Sequence, residues 1–377
     1  MAEKTSRSVF LWAAVLVFAL AGCGATEVAQ PAPDALPPST LPSKTPVAYE
    51  LAESPESEPL APQWEWEFGG PEEFGLDPTL LERFGRAVAG AEIHSALIVR
   101  HGVIIHEYYA DGFGENHLFL FSSCTKSVTG ALIGIAIQLG YISGIDATLA
   151  EFLPEVAGTG KDGITIRDLL GHSSGIYWRE WGQGTMFFEL QRADNWLEFI
   201  LSQPMEAAPG ELFNYSSGGS YLLTVILQRA TGRTALDFAG EHLFGPIGIT
   251  SAQWAACPGG YSDGGAGLSM TARDAARFGL LYLTGGMWEG RQVVPGHWVE
   301  QSTSYQFPGA PGTGAYGYHW WLTTAHGHDL YYAMGAGGQY IFVVPKLELV
   351  VVMTGQTRDT YQPQWIFRDY LIPAFTW

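Results

Sequence analysis

The most informative segment of the chain is Phe121-Ser122-Ser123-Cys124-Thr125-Lys126-Ser127-Val128-Thr129-Gly130. It runs into the apolar residues 131–137, and this pattern predicts a helix from Lys126 to Leu139 that ends at Gly140. Ser123 and Lys126 are three residues apart at the helix start, so their side chains lie on one face, one turn apart. The spacing therefore predicts a serine and a lysine that contact each other.

A serine in that position has two chemical advantages. Its backbone N–H is a helix-terminal donor available to an oxyanion, and the helix dipole favours developing negative charge. A lysine held against apolar residues is shifted toward its neutral form, in which it can accept the serine proton. The folded part of the chain uses arginine almost everywhere and keeps lysine only at 126, 161 and 346. A lysine leading into an apolar run therefore needs a functional reason.

Regular elements are predicted on both sides of this segment. Asp77-Pro78 is an N-cap and N1 pair for a helix, and His101-Gly102 is the turn of a hairpin between Ser95–Arg100 and Val103–Tyr109. A second hairpin is predicted near the end of the chain, with strands Gln339–Val344 and Glu348–Thr354 around residues 345–347.

Helices are predicted between these hairpins. Thr165-x-x-Asp168 and Thr271-x-x-Asp274 have the form of capping boxes, and Ser216 to Gly232 is typical of a helix with a glycine C-cap. Strands at both ends with helices between them predict an α+β domain. Its antiparallel sheet is built from N- and C-terminal strands, flanked by helices, and carries an inserted all-helical region at about residues 150–265.

The first 62 residues differ in composition from the rest. Lys4 and Arg7 precede an apolar run that ends in Leu20-Ala21-Gly22-Cys23, a pattern that resembles a bacterial lipobox. Residues 1–22 are therefore predicted to be a lipoprotein signal peptide and Cys23 to be acylated after cleavage. Residues 23–62 are rich in Pro, Ser, Ala and Glu, which predicts a tether, and residues 63–377 are predicted to form the folded domain. The expected product is an exported protein anchored at the periplasmic face of a membrane or at the cell surface.

Composition limits the partners. The 377 residues are 47% hydrophobic and 15% charged, which is typical of a globular chain with a large core. The formal net charge of −19 disfavours contact with nucleic-acid phosphates, so no nucleic-acid partner is expected. Three cysteines without Cys/His clustering predict neither a disulfide framework nor a metal site. His326-Gly327-His328 is interpreted as a polar hairpin turn rather than a pair of metal ligands.

Several motifs, in a fixed order, resemble the class C β-lactamase-like serine hydrolases of the penicillin-binding-protein and β-lactamase superfamily. They follow the order residues 121–144, Ile164–Gly175, Pro209-Gly210 before Tyr215, Leu268–Gly279 and Gly337-Gly338-Gln339. The resemblance is strongest to the branch that includes 6-aminohexanoate-dimer hydrolases and related esterases. It covers nearly the whole predicted domain, and it implies a β-lactamase/transpeptidase-like fold that needs no cofactor.

The resemblance implies a role for each matching residue. Ser123 would be the nucleophile, Lys126 would relay its proton, and Tyr215 would act as general base and then as acid toward the leaving group. A neighbouring lysine ammonium is expected to lower the pKa of Tyr215 for that task. The backbone N–H groups of Ser123 and Gln339 are expected to form the oxyanion hole. The substrate would be a small-molecule or peptide-like ester or amide.

Two positions depart from the family pattern. Ser217 replaces an asparagine, which removes a carboxamide that would hold a substrate amide and the lysine. Ala336 stands where the family has a cation, which weakens the case for a β-lactam carboxylate as ligand. Ser217, Gly337 and Gly338 are nevertheless candidates for the substrate cleft, because the glycines let a substrate backbone approach the strand.

Other functions are also consistent with parts of the sequence. Two G-x-S-x-G matches, centred on Ser173 and Ser262, suggest an α/β-hydrolase, but neither has the strand before it and the helix after it that a nucleophile elbow requires. A non-catalytic cell-wall or ligand-binding module on this fold is a second alternative, although it predicts loss of the serine, lysine or tyrosine. A true β-lactamase or D,D-peptidase is a third, and Ala336 and Ser217 argue against it.

Overall fold

The structure, a computed structural model, describes residues 64–182 and 185–375. The predicted signal peptide, Cys23 and the tether lie outside the described residues. The strands are β1 (Glu67–Phe68), β2 (Ile93–Arg100), β3 (Val103–Tyr109), β4 (Phe119–Leu120), β5 (Gln253–Trp254), β6 (Leu268–Met270), β7 (Met287–Trp288), β8 (Arg291–Gln292), β9 (Phe307–Ala310), β10 (Gly314–Tyr316), β11 (Trp321–Ala325), β12 (His328–Gly335), β13 (Gln339–Val344) and β14 (Leu349–Gly355). The helices are α1 (Pro78–Ala89), α2 (Thr125–Gln138), α3 (Leu149–Phe152), α4 (Ile166–Leu170), α5 (Met186–Arg192), α6 (Trp196–Ser202), α7 (Ser217–Thr231), α8 (Ala235–Ala239), α9 (Ala272–Leu283), α10 (Gly296–Ser302) and α11 (Gln362–Ile366).

One nine-stranded sheet organises the domain, in the order β1-β3-β2-β14-β13-β12-β11-β10-β9. The central pair joins the two ends of the chain, since β14 runs antiparallel to β2 with Val351 opposite Ile98. This confirms the predicted sheet of N- and C-terminal strands. The one departure is at the edge, where β1 pairs in parallel with β3.

Helices cover both faces of the sheet. Alternate residues of β2, β13 and β14 belong to two separate hydrophobic clusters, as expected for a sheet buried on both sides. One cluster includes Phe84 and Val88 of α1 and Phe367 near the end of the chain. The other includes apolar residues of α2, α7 and α9. Among the described residues, no helix is long and apolar enough to span a membrane.

The short-range turn and cap predictions agree with the structure. The Asp77 side chain accepts hydrogen bonds from Thr79 N and Leu80 N at the start of α1. His101 and Gly102 both have positive φ, 52° and 80°, as the two-residue turn between β2 and β3 requires. Ser216 caps α7 and Gly232 ends it in the left-handed conformation. His326 and Gly327 form the turn between β11 and β12.

Candidate active site

Helix α2 places Ser123 and Lys126 together. The nucleophile candidate lies in a short 3₁₀ turn, Ser122–Cys124, that leads directly into α2. Ser122 has a φ of 46°, an uncommon backbone conformation for a residue with a side chain, immediately before Ser123. Lys126 Nζ lies 3.1 Å from Ser123 Oγ, so the predicted contact is present. The serine is half-buried, whereas the lysine is only 1% exposed.

Two more oxygens complete the surroundings of the lysine. Its Nζ lies 3.0 Å from Ser217 Oγ and 2.8 Å from the carbonyl oxygen of Gly265. Burial lowers the pKa of Lys126, and the carboxylates of Glu180 and Asp263 oppose this effect. A lysine whose ammonium form is disfavoured can accept a proton from a neighbouring hydroxyl. This agrees with the reasoning from its apolar surroundings.

The carbonyl of Gly265 belongs to a glycine-rich loop, residues 259–267, that is held along α2. Thr129 Oγ1 donates to Gly264 O at 3.0 Å, and Asp263 Oδ1 accepts from Gly265 N at 2.9 Å. A Cβ at Gly264 would lie 2.5 Å from the carbonyl oxygen of Ser220, so only glycine fits there. The loop contains Ser262, which is not an α/β-hydrolase nucleophile here but part of the segment that contacts the lysine.

Tyr215 lies immediately before α7, with its ring against the lysine. Lys126 Nζ is 4.8 Å from the centroid of the Tyr215 ring. Trp181 and Trp321 stack on the tyrosine at centroid distances of 5.1 and 5.6 Å. Burial raises the pKa of Tyr215 well above its ordinary value and the charge of Glu180 adds to this, while a hydrogen bond with Ser123 acts in the opposite direction. The expectation that the lysine lowers the pKa of Tyr215 is therefore wrong, because burial outweighs any nearby positive charge.

Two buried histidines lie behind these residues and stay neutral. His172 Nδ1 accepts from Ser216 N at 3.2 Å, which leaves Nε2 as the donor toward Tyr316 Oη at 3.1 Å. His319 Nδ1 lies 2.7 Å from the carbonyl oxygen of Lys126. Burial lowers the pKa of His172 well below its ordinary value and that of His319 to about 3. The histidines therefore connect α2, α7 and the β10–β11 segment without adding charge.

Residues 335–338, at the end of β12 and in the turn that follows it, have different surroundings. Gly335 packs against the nucleophile turn, since a Cβ there would lie 2.3 Å from the carbonyl oxygen of Phe121. Gly337 and Gly338 form the turn to β13 with φ of 81° and 89°, and Ala336 is exposed. A Cβ at Gly338 would lie 2.7 Å from Thr357 Oγ1, so this candidate cleft residue is buried against the segment that follows β14.

Gln339 and Ser217 carry contacts that the sequence did not predict. The Gln339 side chain forms hydrogen bonds with the backbone of Gly355. The backbone carbonyl oxygen of Gln339 accepts from Cys124 Sγ at 3.4 Å. The role of its N–H as an oxyanion donor stays a prediction. Ser217 is buried and contacts the lysine, so the loss of an asparagine there did not remove the lysine contact.

Glu180 is a site residue that has no sequence signal of its own. It lies in the irregular segment between α4 and α5, and its carboxylate accepts hydrogen bonds from Ser217 Oγ, Ser217 N and Trp178 Nε1.

Among the described residues, no group of three or more His, Cys, Asp or Glu side chains could hold a metal ion.

Comparison with known proteins agrees with this arrangement. A model of the family described as Beta-lactamase matches residues 83–364. A 6-aminohexanoate-dimer hydrolase of Paenarthrobacter ureafaciens is 28% identical over 295 residues, which cover 71% of this chain and 74% of the relative. Esterase EstB of Burkholderia gladioli is 28% identical over 178 residues, which cover 41% of this chain and 45% of that protein. The D-stereospecific amidohydrolase from a Streptomyces species has a similar fold, with a TM-score of 0.61, 18% identity and coverage of 77% of this chain and 97% of that one.

Proposed function

The chain belongs to the beta-lactamase family and is a serine hydrolase, and from this premise we propose that it hydrolyses an ester or amide through an acyl-enzyme on Ser123. The observation that carries the proposal is the 3.1 Å contact between Ser123 Oγ and Lys126 Nζ. A buried amine with a lowered pKa, at hydrogen-bond distance from a half-buried hydroxyl, is the arrangement that activates a serine.

In the first step the Ser123 oxygen attacks the substrate carbonyl. A bond forms between Oγ and the carbonyl carbon, the hydroxyl proton moves to the neutral Lys126 amine, and the carbonyl oxygen becomes an oxyanion. Backbone N–H groups beside the serine stabilise that charge, with Ser123 N as one donor and Gln339 N as the proposed second. The lysine is buried, so charge developing there interacts strongly with nearby groups.

In the second step the bond to the leaving group breaks. The Tyr215 phenol, whose proton is held tightly because the ring is buried, donates that proton to the departing alcohol or amine. Lys126 then returns the proton that it took from Ser123 to the tyrosine. A water molecule then attacks the acyl carbon, and its proton passes through Tyr215 to Lys126. The bond between the carbonyl carbon and Ser123 Oγ breaks, Lys126 returns the proton to Ser123, and the acid is released.

The names of the relatives and the residue at position 336 support a proposal for the substrate class. Curated relatives of this chain are named a 6-aminohexanoate-dimer hydrolase, an esterase and a D-aminopeptidase. Ala336 is exposed and offers no cation to a substrate carboxylate. We therefore place the substrate among uncharged or amine-bearing esters and amides rather than among β-lactams, whose carboxylate needs a counter-charge.

The proposal is tested with a fluorophosphonate probe and intact-mass measurement on the full chain. Wild type and Ser123→Ala are treated side by side. Ser173→Ala is the control, because Ser173 is the buried serine at the centre of a G-x-S-x-G match and is the alternative nucleophile. We expect one adduct on wild type and on Ser173→Ala, and none on Ser123→Ala. Turnover of an aryl ester, an anilide and a chromogenic cephalosporin then ranks the substrates.

Two outcomes would contradict the proposal. No adduct on folded wild-type protein would favour the non-catalytic binding module. Cephalosporin turnover well above that of the ester and the anilide would favour a true β-lactamase.

We also propose that the chain is exported and acylated at Cys23. The support is the pattern of residues 4–23, which lie outside the described residues. Metabolic labelling with an alkyne fatty acid in a bacterial host tests this, since Cys23→Ser is expected to lose the label while Cys124→Ser keeps it. Equal labelling of the two variants would refute acylation at Cys23.

A further inference from the structure

The Glu180 carboxylate fixes the direction of the Ser217 hydroxyl proton. Its Oε1 accepts from Ser217 Oγ, and its Oε2 accepts from Ser217 N at 2.9 Å and from Trp178 Nε1. An ionised carboxylate can only accept hydrogen bonds, so the Ser217 proton points at Glu180. The lone pairs of the Ser217 oxygen are then free to accept from Lys126, whose Nζ lies 3.0 Å away.

The direction of the Ser217 proton decides how the Lys126 amine is oriented toward Ser123. Lys126 Nζ has three oxygen neighbours, Ser217 Oγ at 3.0 Å, Gly265 O at 2.8 Å and Ser123 Oγ at 3.1 Å. The Gly265 carbonyl can only accept, and Ser217 is made an acceptor by Glu180. A neutral amine has two N–H bonds and one lone pair, so both N–H bonds are used and the lone pair is directed at the third neighbour. That neighbour is the hydroxyl whose proton must be removed.

We propose that Glu180 is a positioning residue, which acts through the Ser217 hydroxyl to hold the Lys126 amine with its lone pair toward Ser123. The inference rests on the proposed function in one respect, that Lys126 receives the Ser123 proton. Glu180 itself contacts neither Ser123 nor the reacting carbonyl in this scheme.

Other charged and titratable groups around Lys126 also affect its protonation. Asp263 and Glu180 favour the ammonium form, and Tyr215, Cys124, His172 and His319 also lie close enough to interact with it. The tyrosine and the thiol are held protonated by burial, and the histidines are held neutral. Burial raises the pKa of Asp263, whose Oδ1 accepts hydrogen bonds from Gly265 N and Ala266 N. Glu180 and Asp263 are the two carboxyl groups that act on the lysine among the described residues.

Glu180→Gln keeps the shape of the side chain and reverses the direction of the hydrogen bond between residue 180 and Ser217 Oγ. Two N–H donors converge on the Oε2 position, so the amide oxygen is expected to take that position and the NH₂ group to face Ser217 Oγ. Ser217 then receives a hydrogen bond where it formerly donated one. Its own proton turns to Lys126 and occupies the amine lone pair, so Ser123 loses its base.

The test combines kinetics with a direct titration of the lysine in the full chain. We expect Glu180→Gln to lower kcat by about 100-fold, the low end of what a general base contributes, with KM changed less than about threefold. In a Ser217→Ala background, where the relay is already absent, Glu180→Gln should add less than about threefold. Glu189→Gln, an exposed residue of α5, is the matched control and should leave kcat unchanged.

The pH dependence separates this role from general support of the fold. Loss of the Glu180 charge disfavours the ammonium, so the acidic limb of kcat/KM should move to lower pH while the plateau falls. The same shift is read without turnover, by NMR titration of the protein labelled with ¹³C-lysine. The chain has five lysines, and only positions 126, 161 and 346 lie in the folded domain, so the Lys126 signal is assigned by Lys126→Met.

The outcomes are distinguishable from failure of the proposed function. An inactive wild type would overturn the acyl-enzyme, whereas the NMR titration would still decide whether Glu180 acts on Lys126. Coincident Lys126 titration curves in wild type and Glu180→Gln would overturn the positioning role. So would an equal loss of kcat from Glu180→Gln in the wild-type and Ser217→Ala backgrounds.

Discussion

At the scale of single residues, burial decides the resting protonation of the site. The pKa of Lys126 is lowered and that of Tyr215 is raised, in both cases chiefly by burial. Each shift favours the neutral form of the group, which is the form in which the lysine can act as a base and the tyrosine as an acid. A tyrosinate beside an ammonium would have the same number of protons, but it would place two charges in a dry environment.

This assignment makes a prediction for Tyr215→Phe. The substitution keeps the ring that stacks between Trp181 and Trp321 and removes only the acid. Because Lys126 is the base for attack and a nitrophenolate leaves without protonation, acylation by a p-nitrophenyl ester, measured as the burst of nitrophenol release, should slow less than tenfold. Turnover of an anilide with the same acyl group, whose leaving group needs a proton, should fall by at least about 100-fold.

Tyr305→Phe, at a tyrosine that is 65% exposed, serves as the control and should change neither rate. Equal losses for the ester and the anilide in Tyr215→Phe would mean that the tyrosine acts in attack, as a general base, and not on the leaving group.

The residue-scale predictions succeeded where the information is local. Ser123 and Lys126 meet because three residues separate them on one helix face, which a sequence displays directly. Glu180 contacts Ser217 across 37 residues from an irregular segment, and no periodic pattern marks such a contact. The pKa of Tyr215 was predicted with the wrong sign, because a neighbouring charge can be inferred from a motif whereas complete burial depends on the tertiary fold.

At the scale of elements, features that depend on neighbouring residues were again predicted, and features that depend on tertiary packing were not. Caps and two-residue turns were predictable because Asp77, His101-Gly102 and Ser216 act on their immediate neighbours. Strand β9 was not predicted, since Pro308 and Gly309 within it are typical of a loop. The G-x-S-x-G match centred on Ser262 lies in the loop at residues 259–267, where close packing on α7 explains Gly264 and Gly265.

The junction between β12 and the nucleophile turn yields a prediction for Gly335→Ala. The added Cβ would lie 2.3 Å from the Phe121 carbonyl oxygen, so the turn that contains Ser123 must move. We expect a loss of about 1–3 kcal/mol in the free energy of unfolding from overpacking. A shift of the nucleophile should also lower kcat/KM by about 10–100-fold.

Gly85→Ala, in α1, is the matched control, because nothing lies within 4 Å of its added Cβ. It should be neutral or stabilise the protein by up to about 1 kcal/mol, with unchanged kcat/KM. Denaturant unfolding measures the free energy of unfolding of both variants, and steady-state kinetics measures their kcat/KM. If Gly335→Ala loses stability but keeps full activity, the contact between β12 and the turn does not position Ser123.

At the scale of the whole molecule, the fold brings distant parts of the chain to one end of β12. The sheet joins the two ends of the domain, α2 supplies the nucleophile turn beside β12, and α7 follows Tyr215. This arrangement was predictable because strands at both ends and helices between them leave few ways to form one buried sheet. The site lies in a chain whose formal net charge is −19 and whose residue 336 is alanine rather than lysine.

The net charge predicts a salt-dependent preference among substrates. We compare a neutral aryl ester with its para-carboxylate analogue, so that the two share the acyl group and differ in one charge on the leaving group. At about 0.01 M ionic strength the screening length is about 30 Å and the field of the whole protein reaches the substrate, so kcat/KM should favour the neutral ester. At 0.15 M ionic strength the screening length is about 8 Å, and the preference for the neutral ester should shrink toward the part that arises inside the site.

Ala336→Lys should reduce the preference that remains at 0.15 M, because the exposed position then offers the carboxylate a counter-charge. A preference that does not change with salt would locate the whole discrimination inside the site and remove any role for the protein's overall charge.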